Sequence, residues 1–452
     1  MRQQSPNTAA EGTGKYMRDE HAQIGAPHWL VALALAIAAG ATVPVFVGLV
    51  EYLGEYIPRP DVQADYLIGV VWALVLWASI LVWPVPRAHR KALMVLWGAK
   101  VFVTLGFMLL YEHFYPVLDF QTYLEMGSAP ELDWAGVGLG QGTQNMIALS
   151  WVHAHFLTPS YHAMKVSFAF IGLLGVYFFY RGIVLALGRD ELRMLLILGL
   201  FPSILFWSSI LGKDPVVLLG IGVYAYGVMG WSRRMRWPYL LAVAVGIWLA
   251  TMIRVWAAPI LLAPLILAIP GQIRGVGRKT AFVLVSSLVL AASVARFAES
   301  FGMETMQDLY STTNAQSRAW AGGGSGQTIN AQFTGPVSML KFMPIGAFTA
   351  LFRPLPGEVM NPFGLLAGLE SALLLGLVVL ALKRVRWATL RQPLVVWAVS
   401  LVVVWASIYG FVSSQNLGSA VRFKLQILPM LLILLLYLSR KQPPALASGR
   451  TA

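Results

Sequence analysis

The sequence predicts an all-α, polytopic membrane protein of about twelve transmembrane helices, and three observations predict it. Hydrophobic residues make up 58% of the 452 positions and charged residues only 12%. Apolar runs of about 20 residues, the length a helix needs to cross a hydrocarbon core about 30 Å thick, recur along almost the whole chain. The connections between these runs alternate in charge.

The runs read as spans at residues 28–50, 66–85, 92–112, 164–186, 194–210, 214–231, 238–253, 255–270, 280–297, 364–382, 393–412 and 424–439. Residues 1–27 are polar and read as a disordered cytoplasmic N-terminus. They do not read as a cleavable signal, because the apolar run after them is long enough to stay in the membrane. Residues 28–91 then form two N-terminal helices. Residues 92–439 form a transmembrane core with long loops at 113–163 and 298–363, and 440–452 a cytoplasmic tail.

Alternate connections carry Arg87, Arg90 and Lys91; Arg181, Arg189 and Arg193; Arg233, Arg234 and Arg236; Arg274, Arg278 and Lys279; Lys383, Arg384, Arg386 and Arg391; and Arg440, Lys441 and Arg450. With Arg2, Lys15 and Arg18 these hold 22 of the 33 Lys and Arg residues, against five acids. The positive-inside rule places them, and both termini, in the cytoplasm. The net charge of +13 is thereby a record of topology and calls for no nucleic-acid partner. No cysteine is present, which excludes disulfides, thiolate metal sites and cysteine nucleophiles.

The two long loops fall on the opposite side, where loops of this length carry function or are disordered. Within them "NMIALSWV" (145–152) and "SMLKFMPIGAFTALF" (338–352) read as interfacial amphipathic helices or re-entrant pieces. No inverted repeat of the transporter kind stands out.

Chemistry is expected on this outer side. In "YPVLDFQTYLEMG" (115–127) Asp119 follows the third span closely. Its carboxylate can accept a proton from a sugar hydroxyl, or it can cap a short helix. Glu125, Glu131 and Asp133 are further carboxylates nearby. In "FPSILFWSSILGKDP" (201–215) Asp214 and Pro215 read as the start of the sixth span, with proline at the first helical position. Lys213 opposes the helix dipole, so an anion such as lipid phosphate is its expected partner. Arg254, Arg353, Arg422 and Lys424 are cations on the side where topology gives no reason for them. Each reads as a snorkelling residue or as part of a phosphate-binding cluster. His153 and His155 alternate without helical i, i+4 spacing and read as interfacial polar residues rather than a metal site. "GVGLGQG" (136–142) and "GGGSG" (322–326) lack the Gly-Lys-Ser/Thr ending of a phosphate loop and read as flexible loops. Lys100 and Glu370 fall inside spans and are expected to face the bundle interior as a pair. Trp and Tyr clusters near span ends read as interfacial belts.

The outer Asp119 and Tyr123, spaced D-x-x-x-Y after an early span, resemble the GT-C superfamily of polytopic glycosyltransferases. So do the stretch 160–215, "LFRPLPGEVMNPFGLLAGLE" and "RFKLQILPMLLIL". The similarity runs over about residues 92–438 and is nearest to bacterial, mannosyltransferase-like members of exopolysaccharide clusters. It implies transfer of a sugar from a polyprenyl-phosphate carrier to a glycan or lipid acceptor, at the periplasmic face of the inner membrane. Asp119 would be the general base. Tyr123, Glu125, Lys213, Asp214, Arg254, Arg353 and Arg422 would bind substrate, with the cations turned toward the donor phosphate. Some members use a divalent cation, and other polysaccharide-assembly proteins are natural partners. One departure matters: the acidic loop of such enzymes follows the first span, and here Asp119 follows the third. The loop with Glu51, Glu55, Asp61 and Asp65 is therefore the rival location. Two other functions share this sequence pattern: a polymerase or ligase using lipid-linked oligosaccharide, and a transporter or flippase.

Overall fold

A computed structural model describes residues 45–115, 119–321, 325–327 and 332–441. The predicted N-terminus 1–27, most of the first span, residues 322–324 of the Gly-rich run and the tail beyond 441 lie outside the described residues. Contacts divide the chain into two units, residues 1–49 and residues 50–452, and the second forms the helix bundle.

Helices make up most of the described residues, and no strand occurs among them; one isolated bridge joins Gly326 to Asn416. Among the described residues seven helices are long and apolar enough to cross a membrane: Val62–Ile80, Arg87–Phe114, Tyr161–Leu187, Lys213–Arg234, Val276–Ser300, Pro362–Arg384 and Pro393–Ser413. An eighth is a bent pair, Leu417–Lys424 and Leu428–Leu438, with 70° between its halves.

Sequence sets most of the boundaries. Asp61, Ser160, Asn361 and Asn416 each accept a hydrogen bond from the backbone N–H three residues on, satisfying donors that the first helical turn leaves free. The Tyr161–Leu187 helix ends at Gly188, whose φ of 70° needs no Cβ to be accommodated. Lys213–Arg234 is the central helix, with 83% of its most apolar stretch buried inside the protein, against none of Val276–Ser300. It packs on Tyr161–Leu187 and on Trp237–Ile253. Against Tyr161–Leu187 the contact is backbone to backbone: a Cβ built on Gly222 would stand 2.2 Å from the Gly175 carbonyl oxygen. Small residues that let backbones touch are the means by which helices associate where no hydrophobic force between them exists.

Two predicted spans are corrected. The stretch 194–210 is no continuous helix: it breaks into Leu192–Leu200 and Pro202–Trp207. Pro202 has no N–H to give, and it holds Phe201 extended (φ −61°, ψ 123°). Residues 424–439 likewise begin in a separate helix, ending at Lys424, before the turn that leads into Leu428. Trp237–Ile253, Ala257–Gln272 and Pro336–Phe352 are apolar but short, at 17 residues or fewer. Pro336–Phe352, read from sequence as interfacial or re-entrant, packs along Pro393–Ser413 with Ala350 fully buried.

Lys100 and Glu370 are not a pair. Lys100 donates to the Ser208 carbonyl (2.7 Å), the Ser208 Oγ (2.6 Å) and the Ser209 Oγ (3.1 Å). Glu370 accepts from the Ser203 N–H (2.7 Å) and the Ser203 hydroxyl. A carboxylate thus holds the N-terminus of the Pro202–Trp207 helix and an ammonium its C-terminus, the signs that complement a helix dipole. Burial is offset by hydrogen bonds at both residues.

The basic connections gather at one end of the bundle. There Arg440 binds Glu191 (2.6 Å), Arg384 donates to the Ser439 carbonyl (2.8 Å), and Arg189 also pairs with Glu191. At the opposite end lie Asp119–Gly127 and Gly142–Phe156, packed on each other, and a cavity.

Candidate functional site

The cavity has a volume of about 600 Å³ and is walled by segments from distant parts of the chain. The end of the Arg87–Phe114 helix supplies Phe107, Tyr111 and Glu112, and the Pro202–Trp207 helix supplies Ser203, Phe206 and Trp207. The start of Pro362–Arg384 adds Asn361 and Phe363, and the Leu417–Lys424 helix adds Ser419 and Arg422. Aromatic rings make one wall: Phe107, Tyr111 and Phe206 each meet Phe363 at centroid distances of 5.3–5.8 Å. Asp119 and Arg422 mark the polar side.

Asp119 is the first residue of its helix, and its side chain is 59% exposed. That exposure leaves the carboxylate accessible, unlike Asp214, whose side chain is 2% exposed. Arg422 stands between them. Its Nε donates to Asp214 Oδ2 at 2.7 Å, one of its terminal nitrogens is 3.9 Å from Asp119 Oδ2, and its guanidinium lies 5.8 Å from the Trp207 ring centre. Tyr123, one helical turn beyond Asp119, is 1% exposed, and its hydroxyl has no hydrogen-bond partner. Burial, with the charge of Asp119 adding to it, pushes this phenol well above its ordinary value.

Lys213 and Arg254 adjoin this group without lining the cavity. Lys213 donates to Thr143 Oγ1 at 2.9 Å. Arg254 caps the Trp237–Ile253 helix with extended backbone and lies 5.0 Å from the Phe423 ring centre and 5.4 Å from that of Trp256. Its Nε is buried and unpartnered. Asp119, Asp214, Arg254 and Arg422 each act electrostatically on both Tyr123 and Lys213, and the six form one group. Three of its members are cations and two are carboxylates.

Several expectations from sequence are corrected here. Gly212, with extended backbone, precedes the helix, and Lys213 rather than Pro215 is its first residue. Asp214 is no cap but a buried counter-ion for Arg422, and Thr143 gives Lys213 a structural partner. Arg353 does not join the group: its guanidinium is taken by Glu358 at 2.8–3.0 Å. Burial pushes the Glu358 carboxyl up, but the Arg353 and Leu355 hydrogen bonds outweigh it and hold the group below the usual range. Only the neighbouring Pro354 reaches the cavity, while Lys424 donates to the Arg353 carbonyl (3.2 Å). Glu125 is exposed on the Asp119 helix and does not line the cavity.

The rival acidic loop has structural work to do. Asp61 caps its own helix, while Asp65 accepts from the Tyr161 and His162 N–H groups (3.0 Å each) and pairs with His162 Nδ1 (2.7 Å). Glu51 and Glu55 bind Gln63 and His113 at the surface. His153 spends its ring nitrogens on the Thr158 carbonyl (3.1 Å) and Ser167 Oγ (2.8 Å), and burial pushes its pKa down further than the Thr158 carbonyl raises it. His155 stacks on Trp151 at 4.2 Å. The "GVGLGQG" loop is docked rather than free: Gly140 donates to the Thr251 carbonyl at 3.0 Å, and Asn145 donates to those of Gly138 and Met252. Ser325 and Gln327, at the end of the Gly-rich run, bind residues 414–417 at the cavity edge.

The residues do not fit a divalent cation. Among the described residues no three of His, Asp and Glu come together, and Arg422 already lies between Asp119 and Asp214.

Sequence reasoning missed Glu112 and Lys165, an ion pair at 2.9 Å with exposures of 3% and 0%. The signal was available, because both are ionisable residues at the edge of apolar runs. The aromatic wall had no signal that separates it from an interfacial belt. No protein-family profile, curated protein or solved structure matches the chain.

Proposed function

We propose that the chain is a GT-C-like membrane glycosyltransferase. It transfers a sugar from a polyprenyl-phosphate-linked donor to a glycan or lipid acceptor during cell-surface polysaccharide assembly. In this reading the basic loops and both termini are cytoplasmic, about twelve apolar segments enter the bilayer, and the cavity opens to the periplasm of a bacterial inner membrane. The observation that carries it is the exposed Asp119 carboxylate on a cavity of about 600 Å³, beside Arg422 and next to Lys213 and Arg254.

Asp119 accepts the proton of the acceptor hydroxyl as that oxygen bonds to the anomeric carbon of the donor sugar. The bond from that carbon to the phosphate oxygen breaks, and polyprenyl phosphate leaves with the electron pair. Charge growing on the phosphate is stabilised by preorganised cations, for which Lys213, Arg254 and the outer edge of Arg422 are the candidates. The aromatic wall supplies apolar surface for the rings of a sugar or for a prenyl chain.

Isolated membranes supplied with radiolabelled polyprenyl-phosphate sugars test this. Asp119→Asn, at equal protein level, is expected to lower transfer at least about a hundredfold. Undiminished transfer removes Asp119 as base. A cavity with room beyond one sugar ring also suits a polymerase or ligase of lipid-linked oligosaccharide. Glycan chain length in a deletion strain separates the two, since a transferase loses one sugar and a polymerase loses length.

A further inference from the structure

Glu112 and Lys165 are the buried charges nearest the cavity that the proposed reaction does not use. Together they hold Tyr161, which is fully buried. The Tyr161 hydroxyl donates to Glu112 Oε1 at 2.6 Å, Lys165 Nζ binds both Glu112 oxygens at 2.9 and 3.1 Å, and the same ammonium lies 4.8 Å from the Tyr161 ring centre. The Tyr161 N–H is taken by Asp65 at 3.0 Å. Backbone, hydroxyl and ring face are thus each fixed by a different group. Against this ring rests Phe120, the residue after Asp119, with centroids 4.8 Å apart and planes 35° from parallel.

The Asp119–Gly127 helix has nine residues, too few to hold a helix on its own in water. Its place is therefore set by what it packs against. At its far end Gly127 lies against Ser150, and at the Asp119 end the packing surface is Tyr161. A catalytic carboxylate must be held to within about 0.5 Å of its working position. We propose that Tyr161, locked by Glu112, Lys165 and Asp65, is the post that sets where the Asp119 helix stands over the cavity. Glu112, which also lines the cavity wall, then acts on Asp119 through Tyr161 as a positioning residue, an inference that rests on Asp119 as the base of the proposed transfer.

Tyr161→Phe removes one hydroxyl and keeps the ring and the Glu112–Lys165 pair, so the fold is retained. Phe120→Leu removes the other side of the contact. The chain has no cysteine, so nitroxide labels at Met126→Cys on the helix and Val403→Cys on a membrane helix, both exposed positions, report the helix position directly. Each variant is expected to broaden the label-to-label distance distribution about twofold and to lower kcat about tenfold. KM is expected unchanged in Tyr161→Phe, whose ring lies outside the cavity lining, whereas Phe120 is part of that lining. Combining the two is expected to add little to either effect. Parent-like distance distributions in both variants overturn the post. Broadened distributions with unchanged kcat overturn the positioning role. Broadening in the variants of a parent chain that transfers no sugar overturns the proposed reaction and leaves the lock on the helix standing.

Discussion

Arg422 is the residue on which structure and proposed chemistry meet, and the two can be separated. Asp214 is almost wholly buried and has Arg422 as its counter-charge at 2.7 Å. Removing one partner of a buried pair leaves an uncompensated charge, which costs about 3–5 kcal/mol. Arg422→Leu is therefore expected to lower the unfolding temperature in detergent. Adding Asp214→Asn removes the stranded charge and is expected to recover most of that stability. Transfer activity is expected to remain low in the double variant, because the cation beside Asp119 is still gone. Recovery of both would make Arg422 purely structural.

At the level of helices, the close approach of Lys213–Arg234 to Tyr161–Leu187 decides how much of the site survives small changes. Tyr161 begins one of these helices and Lys213 the other. A methyl group on Gly222 has 2.2 Å to the Gly175 carbonyl oxygen and meets backbone rather than a flexible side chain. The helices must then separate. Gly222→Ala is expected to destabilise the protein by about 1–3 kcal/mol, read as a fall in unfolding temperature. An alanine in place of the exposed Gly376, where a Cβ meets nothing within 4 Å, is expected to leave it unchanged or raised. The broken stretch around Pro202 belongs to this scale as well. Proline predicted the break in principle, yet the run 194–210 is apolar enough to pass for one span, and the anchors at Lys100 and Glu370 come from residues 108 and 167 positions away.

For the whole molecule, the legible part of the sequence was what local composition controls. Apolar runs gave the helices, and Arg and Lys between them fall at one end of the bundle, as at Arg384, Arg189 and Arg440. Asp119 was legible as a carboxylate just after a span, Lys213 as a cation opposing a helix dipole, and Arg254 and Arg422 as cations without a topological reason. Arg353 satisfied the same criterion and failed, since Glu358, five residues on, claims it. Glu112 and Lys165 sit at the margins of apolar runs, and their pairing is set by how two helices pack. What no local pattern carries is the partner. Asp65 with Tyr161, Lys100 with Ser208 and Asp214 with Arg422 are all set by how helices pack.

The span of the Asp214–Arg422 pair, 208 residues, has a consequence for biogenesis. At ordinary translation speeds Arg422 follows Asp214 out of the ribosome by roughly 10–40 s. For that interval Asp214 has been synthesised without its guanidinium, and the cavity lacks the wall that Leu417–Lys424 supplies. The nascent chain therefore passes through a stage in which the helices are inserted and the site does not exist. A chain stopped at Ser413 is expected to insert in the membrane, to be cleared faster than the full-length protein in a pulse-chase, and to regain stability when Asp214→Asn removes the waiting charge.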